Sequence, residues 1–597
     1  MTLLPGDEEF NDALSRYETE RERRTSRVRS RPLDLNAHEE LRPVLADPLA
    51  THGSREPRVI QTGVLVVGTG FSAMLLAMEL IDRGVDDFLL VDTATDFGGT
   101  WYWNRYPGAQ CDVQSYIYLP RLEQTGYVPT EAYAHQPEIH AYVQRLARDH
   151  DLYRRALFET RVTSLTWEEA QPGWVTRTNR GDVIRSRYAY VATGPLSQPK
   201  LPEIEGIDTF GGRMLHTSRW DYELTGGGPG GDLDGLAGKK VGIIGTGATS
   251  VQVVPHLARS AGHLYVFQRT PSTIAPRDNH PTDESWAAGL EPGWQQRMIE
   301  NFTDVTSGIE RDCQILDGWT ISSLAILRSA QLDEVMRLDH DYASGVRARV
   351  DEVVSDPATA ESLKGWYPYF CKRPCFHDEY LDAFNRPNVT LVDTRGQGVS
   401  GADESGLTAL GEHYDLDVLV LATGFEVGAP SEFERRVGIS ILGRGGLSLS
   451  EHWSKGMKSL FGLYTTEFPG LAFAPAIQAQ ASLPPNIPHA LAEAAKHVAG
   501  VIAKAERDGA GTFEVSGDAQ AGWVEEIVSR SPARQRGSRG SLEYQEKCVP
   551  SYLNNEGRLA EKRWEDANFG APPKEYFARL HDDAETQHKT FQFGREG

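Results

Sequence analysis

Two hydrophobic patterns take turns along most of this chain. The first is a short, unbroken apolar run that closes on glycine or a charged residue. It recurs at GVLVVGTG (63–70), FLLVD (88–92), YAYVATG (188–194), KVGIIGTG (240–247), LYVFQR (264–269), VTLVD (389–393) and DVLVLATG (417–424). Runs of this length without in–out alternation predict strands buried on both faces of a parallel sheet. The second pattern has a 3.6-residue period. SAMLLAMELIDRG (72–84) and TSVQVVPHLARSAG (249–262) carry it and predict helices. Strand and helix in alternation make the expected fold α/β. The polar, glycine-rich LTGGGPGGDLDGLAG (224–238) predicts a flexible loop before a second unit. From about 278 to 365 the strand runs disappear and the chain reads mostly helical, as an insertion. Residues 1–58 are densely charged. About 8–30 can form a helix laid over the body through Phe10, Leu14 and Tyr17; a disordered extension is the alternative.

Two of the strand–helix junctions carry chemistry. GTGFSA (68–73) and GTGATS (245–250) each follow a strand and open a helix. Both fit G-x-G-x-x-G with the last glycine replaced by a small residue, Ala73 or Ser250. The first glycine permits the tight turn, and the second lets backbone approach a pyrophosphate resting on the helix N-terminus. The end of the next strand selects the nucleotide. Asp92 lies 24 positions after Gly68, and Arg269 lies 24 after Gly245. A carboxylate there accepts a bond from a ribose hydroxyl and repels a 2′-phosphate, whereas arginine pairs with that phosphate. The first unit is therefore expected to take a dinucleotide with a free ribose, such as FAD, and the second NADPH. The reading is two Rossmann-like domains, one inserted in the other. The expected boundaries are 1–58 for the extension, 59–205 for the first part of the FAD domain, 206–380 for the NADP domain with its helical insertion, and 381–597 for the rest of the FAD domain and the C-terminal segment.

Charge and composition narrow the partners. The chain has 597 residues and a net charge of −23, which disfavours nucleic acid and anionic membrane. No apolar run reaches the ~20 residues of a membrane span. The N-terminus lacks the basic-then-apolar order of a secretory signal. Five cysteines suit a reducing cytoplasm better than a disulfide scaffold. Cys371 and Cys375 could form a redox pair or half of a metal site, but no second Cys/His pair accompanies them and His377 alone is weak, so structural thiols and no metal are expected.

FGGRMLHTSRWD (210–221), GGTWYWNRYPGAQCDVQSYIY (98–118), the two ATG turns (192–194, 422–424) and CKRPCFHDEY (371–380) together resemble the type I Baeyer-Villiger monooxygenases. Phe210, Gly212, His216, Trp220 and Asp221 match that family's fingerprint. The likeness covers about 60–570 and is closest to members with long N-terminal extensions, including those that make lactones from terpenoid ketones in antibiotic biosynthesis. It implies an enzyme that uses FAD, NADPH and O2 to insert one oxygen atom beside the carbonyl of a bulky cyclic ketone, through a C4a-peroxyflavin. It also implies site residues. Arg373 would stabilise anionic oxygen, with Asp112 holding it near the flavin. Gly68, Gly70, Phe71, Asp92, Thr100, Trp101, Trp103, Gln110, Cys111, Asp112 and Tyr118 would line the FAD site. Thr246, Gly247, Ala248, Thr249, Ser250, Gln252, Arg269, Thr270 and Lys372 would serve NADPH. Spacing alone offers His216 as a general base; the resemblance makes it an organiser of the linker between domains. Tyr552 stands where better-known members place a mobile-loop tryptophan. Two other readings stay open: a flavin N-hydroxylating or sulfoxidising monooxygenase, and a non-catalytic FAD/NADPH redox sensor. The sequence leaves the oligomeric state open.

Overall fold

The computed structural model describes residues 7–25, 33, 38–51, 53–475, 480–534 and 541–595. Two parallel-cored sheets organise it. The first has eight strands, with Val59–Val67 at its centre. Phe88–Val91 pairs with it on one side and Val183–Val191 on the other, both parallel. Val64, Leu65 and Val66 are fully buried, as unbroken apolar runs require. An antiparallel meander, Val162–Glu168 and Gly173–Thr178, extends the sheet beyond Val183–Val191. Helix Phe71–Asp82 follows the central strand; it is apolar nearly all round and buried among the residues of the largest core.

The second sheet has five strands in the order Val389–Asp393, His263–Gln268, Lys240–Ile244, Val418–Leu421, Arg213–His216. Every pair is parallel. This corrects the boundary expected at 380/381. The strands at 389 and 418 belong to the second unit, and among the described residues the first sheet regains strands at Ser440–Leu442 and Leu471–Phe473. The apolar runs announce strands, but which sheet each joins depends on non-local pairing that a local pattern does not encode.

The stretch from 278 to 365 holds helices Glu284–Ala288, Trp294–Thr306, Gly318–Ile326, Leu332–Val353 and Pro357–Leu363. Phe302, Trp319, Ile326, Val335 and Val346 pack there against Val113, Ile117, Tyr369 and Phe376. The insertion thus braces the two segments that carry Asp112 and Arg373. The N-terminal helix, α1, spans Asp7–Thr25 and buries Phe10, Ala13 and Tyr17. Of the helix expected over about 8–30, residues 26–30 lie outside the described residues.

Cys371 is not a free thiol. It forms a disulfide with Cys548, 177 positions further along the chain, with Cα atoms 5.1 Å apart. Sequence spacing carries no sign of such a pairing. Cys111, Cys313 and Cys375 are free.

Several histidines are held neutral by burial. His216 and His377 are pushed down to about 3 and His489 to about 4, burial being the main cause for each. In the unfolded chain they titrate near 6.5. Between those values the unfolded state binds more protons, so stability is complete above about pH 6.5 and is lost as the pH falls toward 4. Each contributes at most about 1.4 kcal/mol per pH unit. The melting temperature should drop steadily as the pH falls below 6.5. An unchanged melting temperature down to pH 5 would contradict this.

Candidate active site

One cavity of about 2800 Å³ runs between the two sheets. Both glycine motifs open onto it. Gly68 has φ +121°, and a Cβ there would lie 2.8 Å from the Ala192 carbonyl oxygen. Gly70 is the N-cap of helix Phe71–Asp82, with no side chain capping it. Gly70 also faces Gly99, whose Cβ would fall 2.5 Å from the Gly70 Cα. The two backbones thus meet where only glycine fits. Gly247 caps Ala248–Ser260 in the same uncapped way, and a Cβ there would meet nothing within 4 Å. Each motif therefore presents free N–H groups to an open space, which fits a bound pyrophosphate.

Of the residues expected at the cofactors, all but one line this cavity. Ser250 is the exception. It is fully buried, and its hydroxyl donates to the Gly245 carbonyl at 2.7 Å. A hydroxyl in the place of the third glycine sits at the helix–strand contact and must find a partner there. Asp92 reaches the cavity too, although one of its oxygens already accepts from the Thr69 N–H and hydroxyl, each at 2.7 Å. Trp101 Nε1 donates to the Tyr118 hydroxyl at 3.0 Å. Tyr106 donates to Gln252 Oε1, and Gln252 Nε2 donates to the Gln110 carbonyl, which ties the two units together. Cys111 is buried and its thiol is pushed up to about 12, so it stays protonated.

Arg373 and Asp112 are 261 residues apart in sequence and meet at 2.5 Å. Arg373 follows the turn Tyr369–Cys371, whose Tyr369 N–H donates to the buried Asp339 carboxylate, and precedes Cys375–Phe376, paired with Ile274–Ala275. Its guanidinium lies 5.3 Å from the Trp319 ring centroid. The side chain is 41% accessible, but what it exposes faces the cavity. Asp112 raises its affinity for the proton further, so the cation is permanent. Tyr552 and Leu553 line the same cavity, and the Arg373 charge is felt at Tyr552. Their segment is tied down by the Cys371–Cys548 bond and by Ser551, which donates to the Cys371 carbonyl at 3.0 Å.

Arg269, Thr270 and Lys372 lie together at another part of the wall. Lys372 Nζ donates to the carbonyls of Thr270 and Pro271, both at 3.4 Å. Burial, then Arg269, lowers its ammonium to about 7.

The fingerprint residues do not line the cavity. Phe210 folds over Gly212, where a Cβ would come 2.5 Å from its ring. His216 is fully buried at the end of its strand, with Nδ1 2.8 Å from the Ser218 hydroxyl. Trp220 Nε1 donates to Thr225, and Asp221 caps the next turn by accepting from Glu223 and Leu224 N–H groups. A histidine neutral down to about pH 3 and sealed from the cavity is not placed as a general base. Sequence reasoning missed Arg219, between His216 and Trp220. It lies 3.8 Å over Trp103, donates to the Leu45 carbonyl at 3.1 Å and lines the cavity. A solitary arginine in a polar run gives no signal of burial.

A NAD(P)-binding Rossmann-like domain family matches residues 66–125. The chain is 44% identical over 556 residues to neopentalenolactone D synthase of Streptomyces avermitilis, covering 91% of this chain and 92% of that protein. It is 42% identical over 559 residues to a Baeyer-Villiger monooxygenase of Streptomyces coelicolor, covering 91% and 90%. A solved polycyclic ketone monooxygenase from the thermophilic fungus Thermothelomyces thermophila superposes with a TM-score of 0.90 at 35% identity, covering 99% of this chain and all of that one.

Proposed function

This chain belongs to the Baeyer-Villiger monooxygenases, FAD- and NADPH-dependent enzymes that convert ketones to lactones or esters with O2, and we propose that its substrates are bulky polycyclic or terpenoid ketones of secondary metabolism and that Arg373 is its central catalytic residue. The observation that carries the residue assignment is the Arg373–Asp112 pair, set at 2.5 Å on the cavity shared by both glycine motifs. The substrate class is supported by relatives named for pentalenolactone-type and polycyclic ketone chemistry.

When bound and reduced by NADPH, FAD supplies the oxygen-activating chemistry. The chain supplies position and charge. Gly68 and Gly70, with the uncapped helix at Phe71, would hold the FAD pyrophosphate, and Asp92 would accept from its ribose. Arg373 donates to the negative charge that develops on oxygen at the ketone carbon, and being already charged and oriented it spends little reorganisation in doing so. Asp112 fixes the guanidinium and compensates its burial. Trp319, Tyr552 and Leu553 line the cavity that Arg373 faces and add apolar surface to it. Arg269, Thr270 and Lys372 would hold the 2′-phosphate of NADPH.

Product mass spectrometry on a panel of large cyclic and terpenoid ketones tests the substrate class. Lactones from polycyclic ketones are expected, and activity restricted to small monocyclic ketones would overturn it. Arg269→Ala should raise the KM for NADPH roughly ten- to a hundredfold, because a lost bond to a charged group is worth about 1.5–3 kcal/mol. The KM for NADH should stay put. Equal use of both nucleotides by the unmodified enzyme would contradict the assignment.

A further inference from the structure

Helix α1 belongs to neither dinucleotide unit, yet its last turn reaches the cavity. Its middle is pinned to the helical insertion. The Tyr17 hydroxyl accepts from Arg347 at 3.1 Å, and Arg16 lies 3.5 Å over Trp366 while pairing with Glu361. These contacts carry Arg24 onto the Gly396 turn, where a Cβ would come 3.2 Å from the Arg24 Cγ. From there Arg24 Nη1 donates to the Thr270 hydroxyl at 3.1 Å and to the Arg269 carbonyl. Glu20, one turn earlier, holds Nη2 at 2.7 Å and fixes the plane of the fork. Although it sits on a charged surface helix, the Arg24 side chain is only 9% exposed, and it lines the cavity beside Arg269, Thr270 and Lys372.

Three cations therefore converge on one corner. Glu20 pairs with Arg24, and the charge of Glu556, on the same cavity wall, also reaches Lys372. The crowding is felt at Lys372, whose ammonium is lowered by burial, by Arg269 and also by Arg24. Three cations set against two carboxylates leave an excess of positive charge that an incoming dianion offsets, and a phosphate monoester carries about −1.5 to −2. Two arginines and a lysine around a threonine hydroxyl provide forked donors and a point charge for it.

We propose that Arg24 is a third cation for the 2′-phosphate of NADPH, so that the segment ahead of the first strand helps set nucleotide specificity. The proposal rests on the reading of Arg269 and Lys372 as that phosphate's site. Its test is the ratio of dissociation constants for NAD+ and NADP+, measured by isothermal titration calorimetry on the FAD-loaded enzyme at low and moderate salt. Arg24→Ala should weaken NADP+ about tenfold, the equivalent of one charge-assisted bond, and leave NAD+ unchanged. Arg24→Lys should recover part of the loss. Arg16→Ala removes a docking contact of α1 remote from the phosphate and should preserve the ratio. Arg269→Ala is the control on the underlying reading and should collapse the ratio. If Arg269→Ala collapses it while Arg24→Ala does not, the role of Arg24 is overturned and the phosphate site stands. If Arg269→Ala leaves the ratio intact, the site itself is misplaced and both fall. If Arg24→Ala, Arg24→Lys and Arg16→Ala all shift the ratio equally, α1 acts by docking alone, and the role of the Arg24 charge is overturned.

Discussion

Arg373→Ala should lower lactone formation by about 10²–10³-fold while leaving FAD bound, the usual scale for losing a preorganised charge aimed at an oxyanion. The effect is large because the neighbouring cation on this wall is turned away. Lys372 is the adjacent cation, but its Nζ turns to the Thr270 and Pro271 carbonyls, toward Arg269. Removing the guanidinium also leaves Asp112 at the cavity wall without its partner, which is worse than neutral for an anionic reaction. The glycine turns assigned to the FAD pyrophosphate lie elsewhere, so the variant should remain yellow. It should still oxidise NADPH but release hydrogen peroxide in place of lactone. Arg373→Lys should restore a fraction of turnover, because it keeps the charge and loses the planar fork. The measurement is NADPH consumption alongside product mass and a peroxide assay. Lactone formed by Arg373→Ala at near the unmodified rate would remove Arg373 from the assigned role and make Lys372 the next candidate.

Much of this site can be read in the sequence because its parts are local. A G-x-G turn between strand and helix, and a charged residue at a fixed offset beyond it, are both written within a few dozen residues. Asp92 and Arg269 each line the cavity at equivalent places in their units. Ser250 fits the same local pattern yet turns inward, since the pattern fixes the backbone and leaves a small side chain to satisfy itself.

What the sequence conceals is non-local. Strand Val418–Leu421 pairs with Lys240–Ile244 and Arg213–His216, and nothing in VLVL says so. The Cys371–Cys548 bond joins the arginine-bearing block to the segment of Tyr552, and cysteine counting pointed the other way. Arg24 and Arg219 look like ordinary surface charges in polar runs. Packing of Arg16 on Trp366 with the Tyr17–Arg347 contact, and of Arg219 on Trp103, brings their segments to the cavity. The fingerprint illustrates the converse. Its residues are legible as a set, but His216 and Trp220 are buried away from the cavity, so the motif marks how the chain crosses between sheets and not where bonds change.

Gly68→Ala should abolish flavin retention without unfolding the enzyme. The position has φ +121°, a conformation that costs an L residue roughly 1–3 kcal/mol. Strain alone is tolerable, but here a Cβ would also lie 2.8 Å from the Ala192 carbonyl oxygen, which is backbone and has no rotamer to move. Ala192 is itself fixed, since its N–H donates to the Val67 carbonyl at 2.8 Å. The strand before the turn is held by parallel partners on both sides over Val64–Val67, so the sheet resists and the turn must give. Moving the turn shifts the free N–H groups at Gly70 and Phe71 off the pyrophosphate and pushes Gly70 into Gly99, already too close for any side chain. FAD affinity should fall by about 10²-fold or more, two lost charge-assisted bonds being worth some 3 kcal/mol. Gly84→Ala separates strain from collision. Gly84 has φ +76°, and a Cβ there would meet nothing within 4 Å, so that variant should lose about 1–2 kcal/mol of stability and keep its flavin. Absorbance at the flavin band after dialysis, read against far-ultraviolet circular dichroism, decides between them. A Gly68→Ala protein that stays yellow with one FAD per chain would show that the turn has room the geometry denies it.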